Sequence, residues 1–343
     1  MITEKRSYAI RMITVLSLSH ACIDFLCAFS LYHHFSDLPD VFLIYNFCAF
    51  ALQMPIGILI DYYNHKRNES FLILALTTVI GIILTVIGSF LSPLMTGLGN
   101  ACFHAGGGVL TIYEDRNNQM KGSGLGVFVA PGAIGLILGI LYHDTAFYLP
   151  IVLFVSTILF ILIYCLYRMR KQETEEILIV FPQQALLKIA LCFIVVLLRS
   201  LTGMAVSFPW KTDNLITIVS VIALAFGKTA GGFIAARFGM KKTILVTLGI
   251  SALAYIFAGN VFFGLIALFF FNMTMPLTLY LLAEELKGMS GFAFGILTFA
   301  LFIGYLPVLY GYIRNVSFFP LGTIASVLSM IILLYYVRLH DER

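Results

Sequence analysis

Charge is what this sequence has least of. Asp, Glu, Lys and Arg make up 11% of its 343 residues, where a soluble globular chain carries about a quarter. No polar stretch is long enough to fold as a soluble domain. The longest, YRMRKQETEE at 167–176, reads as a connector. A soluble enzyme and a nucleic-acid-binding module are thereby excluded. Paired cysteines are missing too. Cys22, Cys27, Cys48, Cys102, Cys165 and Cys192 all lie in apolar stretches. They have no metal-ligand spacing and no loop pair to oxidise, so they read as small packing residues and no metal site is expected. A cleaved leader is not expected either, because the apolar stretch after MITEKRSYAIR is too long for one.

Apolar residues fill the space that charge leaves, at 60% of the chain and a mean hydropathy of +0.98. A helix crosses the bilayer in about 20 such residues. Twelve segments qualify: 9–32, 41–63, 71–91, 93–113, 122–143, 146–168, 183–208, 213–236, 243–260, 262–284, 291–312 and 318–338. The basic residues test this count. With a cytoplasmic N-terminus, 17 of the 21 Lys and Arg fall in cytoplasmic loops and tails, which is the positive-inside pattern. Both termini are then expected in the cytoplasm. The net charge of +4 mostly reports this topology.

An internal repeat divides the chain. GILIDYYNHKR at 57–67 and GFIAARFGMKK at 232–242 are related by an offset of 175 residues, about half the length. Six helices repeated once is a recurrent transporter plan, with the substrate site near the midplane between the halves. The expected organisation is a six-helix half at 1–168, a cytoplasmic connector at 169–182 and a second half at 183–343. These same residues carry a resemblance. Gly57, Leu59 and Asp61 followed by Lys66 and Arg67 resemble the signature loop of the major facilitator superfamily, and Gly232, Arg237, Gly239, Lys241 and Lys242 resemble its second copy. Tyr62, Asn64 and His65 depart from the first copy, and Ala236 replaces the acidic residue of the second. The resemblance implies an all-α membrane protein of twelve transmembrane helices in two pseudo-symmetric halves. It also implies that these loops gate the transport cycle, Asp61 and the basic pair latching one state across the halves.

Charges deep in a span cost roughly 2.5–3.5 kcal/mol each. At 1.5 Å per residue, Asp24 lies about 20 Å from Arg11, Arg199 about 16 Å from Lys188, His104 about 18 Å from Arg116 and Lys228 about 13 Å from Arg237. All four are therefore near the bilayer centre. His20 shares a helical face with Asp24, four residues away. Asn272 adds a polar group in segment 10. Segments 3, 6, 9 and 12 have no ionisable interior residue, and in the fold this resembles those segments face lipid. The offset of 175 maps Asp24 onto Arg199 and Gln53 onto Lys228. An acid and a base at equivalent positions could pair across the cavity in one state.

A narrower resemblance follows. Ser17, Ser19, His20 and Asp24, then Gly97, Gly99, Phe103 and His104, then Gly132, Gly135 and Gly139, resemble the fosmidomycin-resistance branch of the superfamily, with Ala105 where that branch has Pro. It implies a bacterial cytoplasmic-membrane exporter driven by the proton gradient, without a cofactor. Asp24 and His20 are expected to handle the proton. Arg199, His104, Lys228, Asn272 and Gln53 are expected to meet the substrate. Asp24, Arg199 and Lys228 sum to +1 with neutral histidines, so an anion is expected, carried by a monomer. The rivals are an importer of an organic anion using the same residues, a lipid flippase, and a non-transporting sensor. A membrane protease built on GMSG at 288–291 is disfavoured, since the one later histidine is His340 in the tail.

Overall fold

The computed structural model describes residues 2–67, 70–145, 147–169 and 184–341. The connector expected at 169–182 lies outside the described residues from position 170 onward. The side chains of Lys66 and Arg67 are also outside them. The first six spans are α1 (Ile2–His33); α2 (Val41–Asn46) continued by a π-helical turn (Phe47–Ala51) and α3 (Gln53–Arg67); α4 (Ser70–Leu91); α5 (Pro93–Asn117); α6 (Ser123–Leu141); and α7 (Tyr148–Met169). The second six are α8 (Ala185–Ala205); α9 (Asn214–Phe238); α10 (Met240–Ile256); α11 (Val261–Asn272) with α12 (Thr274–Glu285); α13 (Ser290–Leu309); and α14 (Phe318–Asp341). Short strands β1 (Val206–Ser207) and β2 (Val316–Ser317) pair in parallel, tying the end of α8 to the start of α14.

Local chemistry places the boundaries. Ser92 accepts from the Met95 N–H at 3.2 Å and is followed by Pro93, so α5 starts with a side-chain cap and an N-terminal proline. Asp213 caps α9 in the same way through Ile216. Two spans are broken where the sequence suggested continuous helices, and proline explains both. Pro55 has no N–H for the Ala51 carbonyl, and the turn before it is π-helical. Pro276 has none for the Asn272 carbonyl, and the tenth span breaks at Met273.

Among the described residues, ten of the twelve spans are long and apolar enough to cross a membrane. The other two are α5, whose polar residues serve the interior, and α10, with 17 residues. Outward stripes at helical spacing identify the lipid face: Leu76, Ile80, Ile83 and Ile87 on α4, Ile151, Phe154, Ile158 and Ile161 on α7, and Ile324, Leu328, Ile331 and Tyr335 on α14 are all exposed. Such stripes would be a liability in water and are the expected exterior in lipid. Many interior hydroxyls are satisfied by their own helices. Ser17, Ser19, Thr78 and Thr85 each donate to the carbonyl four residues back.

The packing repeats across the halves. Span 1 packs on span 5 (α1 with α6) as span 7 packs on span 11 (α8 with α13), and span 2 meets span 11 (α3 with α13) as span 8 meets span 5 (α9 with α6). The close approach of α1 to α6 requires Gly135, where a Cβ would lie 2.7 Å from the Ala21 carbonyl carbon. Within the second half, Lys188 of α8 pairs with Glu285 of α12 at 2.7 Å, and both side chains are buried. Removing one partner of such a pair leaves a buried uncompensated charge, worth about 3–5 kcal/mol. Lys188→Met is therefore expected to lower the melting temperature strongly, and adding Glu285→Leu to restore part of the loss. Equal melting temperatures for the single and double variants would contradict this.

Candidate functional site

Three side chains from two helices converge deep in the first half. His20 and Asp24 come from successive turns of α1, and His104 from α5. His20 Nε2 lies 3.2 Å from Asp24 Oδ2, His104 Nε2 lies 3.8 Å from Asp24 Oδ1, and the two Nε2 atoms are 2.8 Å apart. Each ring is fixed from behind. His20 Nδ1 is 2.8 Å from the Phe128 carbonyl, and His104 Nδ1 is 2.9 Å from the Asn100 carbonyl. Carbonyls only accept, so both Nδ1 atoms must be donors. In neutral rings both Nε2 atoms then present lone pairs, facing each other at hydrogen-bond distance. That arrangement is repulsive unless a cation sits between them, either a proton on one ring or another positive species. The Asp24 carboxylate beside them balances such a charge.

Two further residues complete the pocket. Asn100 donates to Asp24 Oδ1 at 3.1 Å, holding the carboxylate towards the imidazoles. Gly132 of α6 forms the opposite wall. A Cβ there would fall 2.6 Å from Asp24 Oδ2 and closer still to His20 Nε2, so any side chain would displace both groups. Asn100 could have been found in the sequence, since it lies four residues before His104 on one face of the helix. Gly132 was singled out only as one of the glycines that carry the resemblance, with nothing in the sequence to place it against His20 and Asp24.

The second half contributes cations. Lys228 of α9 donates to the Val129 carbonyl of α6 at 3.4 Å. Arg199 of α8 is buried, and its Nη1 has no hydrogen-bond partner. The pair expected between Asp24 and Arg199 is not formed in this conformation, because His20, His104 and Asn100 surround the carboxylate. Asn272 and Gln53 both donate to their own helices, through Leu268 and Ala49. Gln53 is fully buried, and its backbone carbonyl lies against Gly295 of α13, which puts it at the seam between the halves.

The halves meet on the side of the chain termini. Gly57 of α3 meets Gly291 of α13 backbone to backbone, and Gly232 of α9 meets Gly122 and Ser123 at the start of α6. Asp61 reaches across the halves and accepts from the N–H groups of Gly291 and Phe292, at 2.8 and 2.7 Å. A carboxylate at the start of α13 meets both free donors and the positive end of the helix dipole. The matching position in the second half, by the 175-residue offset, is Ala236. The start of α6 is capped instead from within its own half, where Asp115 accepts from Gly122, Gly124 and Leu125 at 2.8, 2.7 and 3.3 Å. Arg116 adds a link that the sequence did not reveal, binding Glu284 at 2.6 Å and the Ala283 carbonyl at 2.7 Å. Arg237 lies over the Phe238 ring at 5.6 Å, and Lys241 is exposed.

Comparison with known proteins bears on this architecture. No family model and no curated protein matches the chain by sequence. Solved structures do match by shape. The human organic anion transporter MFSD10 superposes with a TM-score of 0.66 at 13% identity, covering 96% of this chain and 99% of that one. The E. coli major facilitator superfamily transporter FucP, in its outward conformation, gives 0.65 at 12% identity over 97% and 98%. This is the major facilitator fold. A bacterial homologue of the iron transporter ferroportin, in an outward-facing state, gives 0.61 at 14% identity over 97% and 99%. In the major facilitator fold seen here, His20, Asp24, His104, Arg199 and Lys228 all come from spans 1, 4, 7 and 8. The lipid-facing stripes on α4, α7 and α14 belong to spans 3, 6 and 12.

Proposed function

We propose that the chain is a proton-coupled secondary transporter of a small organic anion and works as an exporter by alternating access. The observation that carries this reading is the burial of unlike groups in the two halves, with Lys228 of the second half reaching the Val129 carbonyl of the first. One half offers a carboxylate with two imidazoles that require a cation between them. The other offers a buried guanidinium with an unpartnered donor and the Lys228 ammonium, which donates to the Val129 carbonyl. Asp24 and His20 hold the proton, with His104 closing the site. Arg199 and Lys228 receive the anion. Asn272 and Gln53 take secondary roles, Gln53 at the moving seam.

Alternating access follows from the seam. The backbone contact of Gly57 with Gly291, the Asp61 cap and the Arg116–Glu284 pair close the side of the termini, and two of the similar structures are outward-facing states. Breaking these contacts opens that side, and an anion drawn to Arg199 and Lys228 leaves when a proton enters the first half. The resemblance in spans 1, 4 and 5 supports membership of the major facilitator superfamily near its fosmidomycin-resistance branch. It supports a monomer in a bacterial cytoplasmic membrane, both termini inside, acting as a carrier and not as an enzyme.

The test is fosmidomycin susceptibility of an efflux-deficient bacterium expressing the chain. Expression is expected to protect the cells, and Arg199→Gln at equal membrane levels is expected to remove the protection. Unchanged or increased susceptibility with the native chain would overturn export of this substrate class.

A further inference from the structure

The cluster at the centre of the first half has the composition and the support of a transition-metal site. We propose that His20, Asp24 and His104 bind one divalent first-row cation of borderline softness, such as Zn2+ or Co2+, with its remaining position open to the cavity. Chain order shows only half of the set: His20 and Asp24 share one face of α1, whereas His104 comes from a second helix, 84 positions on from His20.

Three observations carry the assignment. The first is convergence. The donor atoms of the three residues all lie within 4.8 Å of one another. Two ligands of a tetrahedral ion bound at about 2.05 Å sit roughly 3.3 Å apart, and the separations of 2.8, 3.2 and 3.8 Å bracket that spacing. Small side-chain shifts therefore create the site without moving a helix. The second is the outer shell. Metal-bound histidines donate their far nitrogen to a carbonyl or carboxylate, which fixes the lone pair on the metal. Both rings here do so, through Phe128 and Asn100, and Asn100 also steadies Asp24. The third is the close approach of Gly132, which packs against His20 and Asp24 so tightly that a methyl group there would press on both ligand groups and displace them.

The donor set also selects the ion. Two imidazoles and one carboxylate suit Zn2+, Co2+, Ni2+ and Fe2+. Mg2+ and Ca2+ prefer all-oxygen shells and several waters. The ion occupies the lone pairs that otherwise hold a proton between the rings, so metal and proton exclude each other. Zn2+ supplied from the open side thus blocks any transport that uses this proton. The metal site does not depend on the transport reading.

The experiment titrates Co2+ into the purified full-length chain in detergent, read by visible ligand-field absorption, with Zn2+ and Mg2+ as competitors. One Co2+ per chain is expected, displaced by Zn2+ and not by Mg2+. His104→Gln and Gly132→Ala are each expected to weaken binding by at least the roughly 10–100-fold that loss of an outer-shell partner costs. Gly132→Ala keeps every ligand, so its effect separates the built site from adventitious histidine binding. Should either variant lose its monodisperse elution, X-ray absorption of the Zn2+-loaded native chain decides, with two imidazoles and one carboxylate oxygen in the shell as the expected result. Failure to bind Co2+ stoichiometrically, equal binding by both folded variants, or a sulfur-containing shell would overturn the site. Absence of metal binding with intact Asp24-dependent proton movement would sink this inference alone. Metal binding without proton movement would sink only the transport reading.

Discussion

Asp24→Asn should reduce substrate-coupled proton movement to background while leaving the chain folded. The carboxylate is the balancing charge for a proton between His20 and His104, at 3.2 and 3.8 Å from their Nε2 atoms. Leaving a buried imidazolium uncompensated costs about 3–5 kcal/mol, which lowers proton loading on the order of 100-fold or more at a given pH. The amide can still meet Asn100 and fill the same volume, so packing is preserved. Uptake of a labelled anion into everted vesicles, compared between native and variant chains at equal amounts, checks this. Coupled uptake by Asp24→Asn within a few-fold of the native rate would remove the carboxylate from the proton path. Asn100→Ala should lie between the two, because it releases Asp24 Oδ1 without removing the charge.

Gly57→Leu should be the most disruptive change outside that cluster. A Cβ at Gly57 would run into the backbone carbonyl of Gly291. Neither helix can yield without parting the halves. Overpacking typically costs about 1–3 kcal/mol, so the closed state should lose roughly 5- to 150-fold in population relative to the state open on the side of the termini. Hydrogen exchange reads this directly. The Gly291 and Phe292 amides are held by Asp61, and they should exchange faster in Gly57→Leu, with little change in α4 or α7. Unchanged exchange at Gly291 and Phe292 would show that the glycine contact does not set the closed state. Asp61→Asn should give a weaker version of the same effect, because the amide retains an acceptor but loses the charge at the helix start.

Much of this architecture is legible in the sequence, for physical reasons. Apolar runs of bilayer length can do little but span, and basic residues sort by side, so the twelve spans and the two halves follow from composition and the 175-residue repeat. Deep charges are costly enough to mark a functional interior, which is how His20, Asp24, His104, Arg199 and Lys228 stand out. What the sequence hides is pairing across helices. The offset that maps Asp24 onto Arg199 suggested that these two face each other, yet the nearer partners of Asp24 are His104 and Asn100, brought in by the packing of α1 on α5. Ala236 leaves the second signature loop without its acidic residue, and Asp115 caps the start of α6 from a position no motif describes. Span breaks were also hidden, although Pro55 and Pro276 mark both of them once the lost carbonyl partners are followed.

Anion and proton should move together through this chain, in opposite directions. In proteoliposomes containing the purified native protein and a trapped pH-sensitive dye, an imposed inward gradient of fosmidomycin should drive protons out as the anion enters. The same gradient with Asp24→Asn should leave the internal pH unchanged. Entry of the anion without any proton movement in the native chain, or equal proton movement in the variant, would contradict the coupling assigned to His20, Asp24 and His104.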